Sequence, residues 1–386
     1  MISHLRYQVM IVSTCIIWNM PSYGADVTWN GFGSIVGGKT VSEETLPDGS
    51  PSTFQVDPSL SGSQDAVYTD VLSFSPDTSF GLQLNVNLGS ALNFVTQLTS
   101  RGGNDFEVEA EWLYISYEAR PNLLIKAGRQ RLALYNYSDY LDLGYSYHWL
   151  RPPIQVYGEG YTTYQGISVT HNDYLGDFDY SLHAFFGGSH AKTAPLGDGN
   201  LEGALGVIAN IENEWLTFRL ALTKTDFWLE QSALPEAIRF SERGSARGLT
   251  FSSVALFLNP GRYFIGAEMT VLSATDEFIQ SGLTGATLDQ RDSWMLSTGM
   301  HFGKLMPHLT LSERISTLTG HAYPAFNDLE RGSKAIIIGA RYDFHPKAAL
   351  KFDYTETEDT SSHLLQLSSG KSQEVTAVSA GIDFIF

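Results

Sequence analysis

The sequence has 386 residues, with 42 Asp and Glu against 24 Lys and Arg, for a formal charge of −18. An acidic excess of that size repels phosphate and excludes a nucleic-acid partner. Charged residues are 17% of the chain, aromatics 12%, and glycines number 36. No apolar run approaches the ~18 residues of a membrane-spanning helix, which leaves an all-β chain, either soluble or a membrane barrel.

The chain opens with a short stretch carrying one basic residue, Arg6. The apolar run Val9–Trp18 comes next, and Ser22 and Gly24 then supply small residues at a cleavage position. This pattern predicts a signal peptide over 1–24. Cleavage after Ala25 is a weaker alternative, and Val12–Cys15 offers a lipoprotein box in which Thr14 fits poorly. Removal of 1–24 takes away Arg6 and Cys15, so the mature chain, 25–386, carries −19 and no thiol. A closed barrel has ladder hydrogen bonds enough to do without disulfides.

Alternation of apolar and polar residues dominates the mature chain. In Phe80–Leu88 every even position is apolar, while the odd positions carry Gly, Gln, Asn and Asn. The pattern predicts strands at 26–37, 78–88, 91–100, 107–118, 122–131, 164–172, 177–187 and 203–213. It predicts eight more at 214–225, 246–258, 262–273, 291–302, 307–318, 333–344, 348–357 and 374–386, a total of 16. Tight links such as Gly89-Ser90, Asn259-Pro260-Gly261 and His345-Pro346-Lys347 alternate with long ones at 38–77, 132–163, 226–245, 274–290 and 358–373. A soluble β-sandwich has no reason to sort its links by parity. Short turns at one rim and long loops at the other predict a transmembrane antiparallel β-barrel with periplasmic turns and extracellular loops.

Two motifs add a resemblance. Val378, Ala380, Ile382, Phe384 and Phe386 form one face of the last strand, and Phe386 is the final residue. This resembles the C-terminal signature of bacterial outer-membrane barrels, which implies that Phe384 and Phe386 are read by the barrel assembly machinery. Tyr114–Glu118, a proline-containing turn and then Leu124–Gln130 resemble the fourth and fifth strands of the Gram-negative porin superfamily. That resemblance implies a 16-stranded porin in the bacterial outer membrane, in contact with lipid and lipopolysaccharide and assembled as a homotrimer. Its third loop, here 132–163, would fold into the pore. The implied function is passive diffusion of small hydrophilic solutes, with no cofactor, no metal and no catalytic residue. Many general porins carry a Pro-Glu-Phe-type acidic tip on that loop; this chain reads Tyr145–Pro153 instead, so solute preference does not carry over.

A pore works through its radius and the field at its narrowest point. If apolar faces meet lipid, the inward cations are Lys126, Arg219, Arg314, Arg341 and Lys351. Arg129 joins them if a bulge re-aims the strand after Gly128, and Arg131 belongs to the cluster at 126–131 that faces the loop. The acidic candidates are Asp139, Asp142 and Glu159 on the loop and Glu268, Asp343 and Asp353 on strands. Arg341 with Asp343, and Lys351 with Asp353, could equally pair along the wall. Glu107, Glu109 and Glu111 share a face that must meet water, which requires a bulge near Trp112, and they read as a solvated wall before a cation site.

The loop is dense in aromatics, among them Tyr137, Tyr147 and Trp149, and Arg151 comes close behind. These rings either guide sugars or aromatic solutes, giving a substrate-selective channel, or anchor the loop. His148 reads as a packed histidine. No HExxH, nucleophile elbow, P-loop or CxxC is present. His183 and His190 with scattered serines leave a barrel enzyme as the remotest reading. Loop 38–77 carries seven acids, Glu43, Glu44, Asp48, Asp57, Asp65, Asp70 and Asp77, against Lys39, and is expected outside the cell beside the divalent cations that bridge lipopolysaccharide.

Overall fold

The computed structural model describes residues 26–42, 54–55, 66–158, 160–193, 197–230, 244–275, 287–319, 329–360 and 374–386. The expected signal peptide and Glu159 lie outside them. The strands are β1 (Asp26–Thr40), β2 (Phe54–Gln55), β3 (Val67–Tyr68), β4 (Ser79–Gly89), β5 (Leu92–Arg101), β6 (Val108–Arg120), β7 (Leu123–Arg131), β8 (Thr163–Leu175) and β9 (Phe178–Thr193). They continue as β10 (Gly197–Glu212), β11 (Leu216–Glu230), β12 (Gly244–Leu258), β13 (Tyr263–Ala274), β14 (Thr287–Met300), β15 (Leu305–Thr319), β16 (Leu329–His345), β17 (Ala348–Asp359) and β18 (Glu374–Ile385). β1 and β4–β18 form a closed antiparallel barrel of 16 strands, and β2 pairs with β3 in a separate two-stranded sheet.

Closure rests on β1, which pairs with β18 on one side and β4 on the other. The Phe386 N–H donates to the Gly31 carbonyl at 2.9 Å, and the Gly31 N–H donates back at 3.1 Å. The Phe386 ring stacks on Phe80 at 6.1 Å. It also lies over Gly31, where an added Cβ would collide with the ring and displace it from this packing. Short turns join the strands at this rim; Gly261, at φ 94°, takes the left-handed conformation its turn needs.

The alternating pattern places Leu113, Ile115 and Tyr117 of β6, Leu220 and Leu222 of β11, and Ile336 and Ile338 of β16 on the exposed outer face. Ser116, Arg219 and Ser253 are buried inside. A closed barrel inverts a soluble core in this way, because lipid wets the outside and every ladder group is already paired.

The rule fails on part of the inner wall. Phe185, Ile208, Phe251, Met295 and Ile337 point inward and are buried against residues of segment 132–162. The strands also run further toward the long loops than their alternation indicates. β9 and β10 continue through much of 188–202, and a register shift between Glu202 and Leu205, at Gly203 with φ 60°, puts the pattern out of phase there.

Candidate functional site: a loop held across the lumen

The described residues of segment 132–162, all but 159, leave β7 and cross the lumen. The segment makes two 3-10 turns, Ser138–Tyr140 and Gly144–Ser146, and one helical turn, Ile154–Tyr157. Its Gly, Ser, Tyr and Pro residues keep no strand period, and its carbonyls have no ladder to join. Buried backbone groups must still be paired, and the wall does this with charged side chains.

Arg219 donates to the Ala133 carbonyl at 2.8 Å. Arg314 donates to those of Gln155 and Ile154 at 2.7 and 2.6 Å. Arg341 reaches those of Tyr145 and Tyr147 at 2.7 and 2.9 Å. Lys351 donates to Gly144 and Trp149 at 2.6 Å each. Carboxylates take the opposite role: Glu268 accepts from the Asn136 N–H at 3.0 Å and from the Tyr157 hydroxyl, and Asp353 accepts from the Leu150 N–H at 2.8 Å. Glu268 thus ties both arms of the loop to one point on β13.

The aromatics finish the attachment. Tyr137 meets Tyr140, Tyr147, Trp149, Tyr157 and Phe257 edge-on, with centroids 5.4 to 6.1 Å apart. Such contacts contribute about 1 kcal/mol each beyond burial. Trp149 is fully buried and donates its indole N–H to Thr310 at 2.8 Å. Burial pushes the Tyr137, Tyr147 and Tyr157 phenols well up, and burial with Asp139 puts Tyr140 at about 12. His148 is packed too, against Trp149 at 3.7 Å and with its Nε2 2.9 Å from Ser297.

The opposite wall holds a ladder of ion pairs. Arg131 pairs with Asp142 of the loop and, at 3.4 Å, with Glu111. Arg101 pairs with Asp142 at 2.7 Å, Glu111 at 2.5 Å and Glu109 at 3.2 Å. Burial alone would raise the Asp142 carboxyl, but Arg101 and Arg131 outweigh it and hold it below the ordinary carboxylate range. The bulge required near Trp112 falls between the pairs Gln97–Trp112 and Leu98–Ala110. It leaves Glu111 as the extra residue, aimed at the two arginines.

Two cavities flank this ladder. One, of about 470 Å³, opens toward the long loops and is lined by Arg101, Glu107, Glu109, Arg129 and Arg151 among others. The other, of about 390 Å³, opens toward the short turns and is lined by Gln83, Gln97, Trp112, Asp139 and Tyr140 among others. Arg131 and Asp142 are common to the two linings and stand between the cavities.

The sequence-derived residues therefore separate into two groups. Arg129, Arg131, Asp139, Asp142, Tyr147 and Arg151 line the cavities. Arg219, Arg314, Arg341 and Trp149 fasten the loop to the far wall. Lys126 is in neither lining; it lies 5.0 Å over the Tyr114 ring, within electrostatic reach of Asp139 of the lower cavity. Of the expected wall pairs, Arg341–Asp343 is present at 2.8 Å. Lys351 pairs with Asp383 at 2.7 Å in place of Asp353, because its diagonal neighbour across the β17–β18 ladder points into the same buried space. Sequence reasoning misses Arg101 and Asp383; the hairpin position of Arg101 opposite two glutamates is the available signal. His183 and His190 bond to Thr170 and Asn200.

A closed 16-strand antiparallel barrel with a loop held across its lumen has the fold of the outer-membrane porins. No protein-family model matches the chain, and no curated protein does either. Solved structures do. The outer-membrane channel DcaP of Acinetobacter baumannii is similar at a TM-score of 0.59 and 13% identity, over 94% of this chain and 98% of that one. The anion-selective porin of Comamonas acidovorans is similar at 0.52 and 12%, over 94% and 100%. The trimer form of the outer membrane protein OmpT of Vibrio cholerae is similar at 0.52 and 9%, over 94% and 99%. At these identities the fold is what is shared.

Proposed function

We propose that the protein is a general porin, passing small hydrophilic solutes across the bacterial outer membrane by diffusion, without a chemical step. The observation that carries this reading is that two cavities, one on each side of the loop, share Arg131 and Asp142. A solute moving between them passes the arginine–carboxylate ladder, where opposed charges in a confined lumen act over short distances. The far half of the lumen is filled by the aromatic contacts of the loop. Most of those rings are engaged with one another and the wall, which supports an anchoring role, while Tyr147 and Tyr140 also line the two cavities.

In this reading residues 1–24 direct export and are removed, Phe384 and Phe386 are read during assembly, and the barrel sits in lipid and lipopolysaccharide as a homotrimer. Planar-bilayer recording tests the channel: the purified, folded protein should give stepwise conductance proportional to salt. Folded protein that inserts without conducting would end the proposal. Crosslinking of the native membrane tests the trimer, and N-terminal sequencing of the exported chain tests cleavage after Gly24.

A further inference from the structure

Among the described residues between β1 and β4, 54–55 and 66–78 pack against the barrel mouth. Gly38 and Ser73 exchange backbone hydrogen bonds at 2.9 and 3.0 Å, and the Thr40 N–H donates to Thr69 at 2.7 Å. These bonds zip residues 69–73 onto the upper end of β1. Phe54 of β2 and Tyr68 of β3 are buried with Ala66 against Val375 and Ala377 of β18. Gly38 makes room for this, since a Cβ there would stand 2.6 Å from the Tyr68 ring. The Tyr68 hydroxyl then donates to Asp77 at 2.8 Å, so that carboxylate is fixed in place.

Asp77 faces the crossing loop. Its two oxygens accept from Nε of Arg151, at 2.8 Å, and from an Nη of the same guanidinium. That guanidinium also lies 5.2 Å from the Phe54 ring centroid and 5.6 Å from that of Tyr68. A two-point carboxylate pair combined with aromatic stacking is the grip for which arginine is suited and lysine is not. Burial would weaken the Arg151 charge, but Asp77 outweighs it and holds it firmly protonated.

We propose that residues 66–77, with Phe54, form a clamp on the crossing loop, that Arg151 is the positioning residue they grip, and that the clamp fixes the width of the pore. Leu150 is already tied to the wall through Asp353, and Pro152 and Pro153 stiffen the chain beyond. Arg151 is thus gripped from above and Leu150 held from the wall, two ties beside the upper cavity, whose lining includes Asp77, Leu150 and Arg151. The grip rests on geometry alone; its effect on the pore rests on the channel reading.

The test compares the wild-type chain with Arg151→Ala, Asp77→Asn, Arg151→Lys and the exchange of Asp77→Arg with Arg151→Asp. Two readouts are used: single-channel recording, and protease cleavage within 132–162 of the folded barrel in detergent. Arg151→Ala and Asp77→Asn should raise the frequency of partial closures about tenfold, the factor that accompanies loss of one well-formed charged hydrogen-bonded pair. Loop cleavage should quicken in the same variants. Arg151→Lys should fall between them and wild type, and the exchange should recover part of the quiet behaviour. If Arg151→Ala does not fold, Tyr68→Phe loosens Asp77 instead and should show the same effects more weakly. Folded variants with wild-type closures and wild-type cleavage would overturn the clamp. A wild-type chain that does not conduct would sink the channel reading, while the cleavage arm would still decide the clamp.

Discussion

Lys351 on β17 and Asp383 on β18 face each other at 2.7 Å, and neither side chain has any exposed surface. Ser34 of β1 donates to the same carboxylate at 2.5 Å, so the pair sits where the barrel closes and where the loop turns at Gly144. Removing one member leaves a buried charge without its counterion, at a cost of about 3–5 kcal/mol. Lys351→Met should therefore lower the urea midpoint of the folded barrel sharply. The double change with Asp383→Asn should recover much of the loss. Equal destabilisation by the single and double variants would show that shape, not charge pairing, is what matters there.

The ladder at Arg101, Arg131 and Asp142 sets the expected selectivity. Asp142→Asn leaves two guanidiniums against fewer carboxylates, and Asp139→Asn removes an exposed acid from the lower cavity. The double variant should shift the reversal potential in a salt gradient toward anions, with the permeability ratio changing roughly three- to tenfold at moderate salt. Conductance should change little, because the loop stays attached through Arg219, Arg341 and Lys351. An unchanged reversal potential would remove Asp142 from the solute path.

The barrel itself is legible in the sequence because each strand must alternate and each link must obey rim parity. The charged contacts of the crossing loop are legible only in part. Arg131 and Asp142 stand out because the loop leaves β7 directly, but their partner Arg101 lies just past a predicted strand end. Arg219, Arg314 and Arg341 read as pore cations because sequence shows the inward face without showing what covers it. Their guanidiniums go to loop carbonyls, and no pattern of side chains announces a backbone partner. Ile337, between the exposed Ile336 and Ile338, reads as part of an apolar run when it is an inward contact for the loop. Asp77 reads as one more outer acid, yet it is paired inside the mouth. Asp70 is exposed, while Glu43, Glu44, Asp48, Asp57 and Asp65 fall outside the described residues.

His148 gives the attachment of the loop a pH dependence. Burial first, then His308, Lys351 and Arg341, push its ring well below the usual value of 6.5. It is neutral in the folded chain, so below pH 6.5 the unfolded chain binds a proton that the folded chain refuses. Stability is then complete above that pH and falls on acidification, by about 1.4 kcal/mol per pH unit while the two states differ by one proton. Asp142, held low by its arginines, adds a loss only in the carboxylate range and below. Urea midpoints at pH 7.5 and 5 should differ in wild type, and His148→Gln should flatten the difference while keeping a polar contact near Ser297. A variant with the wild-type slope would place the titration elsewhere.

Phe386 closes the barrel seam. Deleting it removes two hydrogen bonds to Gly31 and a ring stacked on Phe80 and Phe384. The truncated chain should be exported normally yet give little heat-modifiable, folded barrel in the membrane. Normal yield of folded barrel would show that the seam closes without its last residue.

Deleting residues 140–155 is the most direct test of the loop as the narrow part of the path. The deletion removes the carbonyls that Arg314, Arg341 and Lys351 hold, together with Asp142, Trp149 and Arg151. In a soluble core that would strand three cations in an apolar medium. In a barrel the space left behind fills with water, which solvates them, so the desolvation cost is largely avoided. The wall ladder does not run through this segment, since every strand pairs only with its neighbours in the ring. The barrel should therefore assemble with reduced stability and conduct clearly better than wild type, with weaker selectivity. Apolar Phe251, Met295 and Ile337 would face the widened lumen and should make it bind hydrophobic dyes that the wild-type barrel ignores. If the shortened chain folds and its conductance is unchanged, the loop does not limit flow, and the path runs along β4–β7 without reference to it.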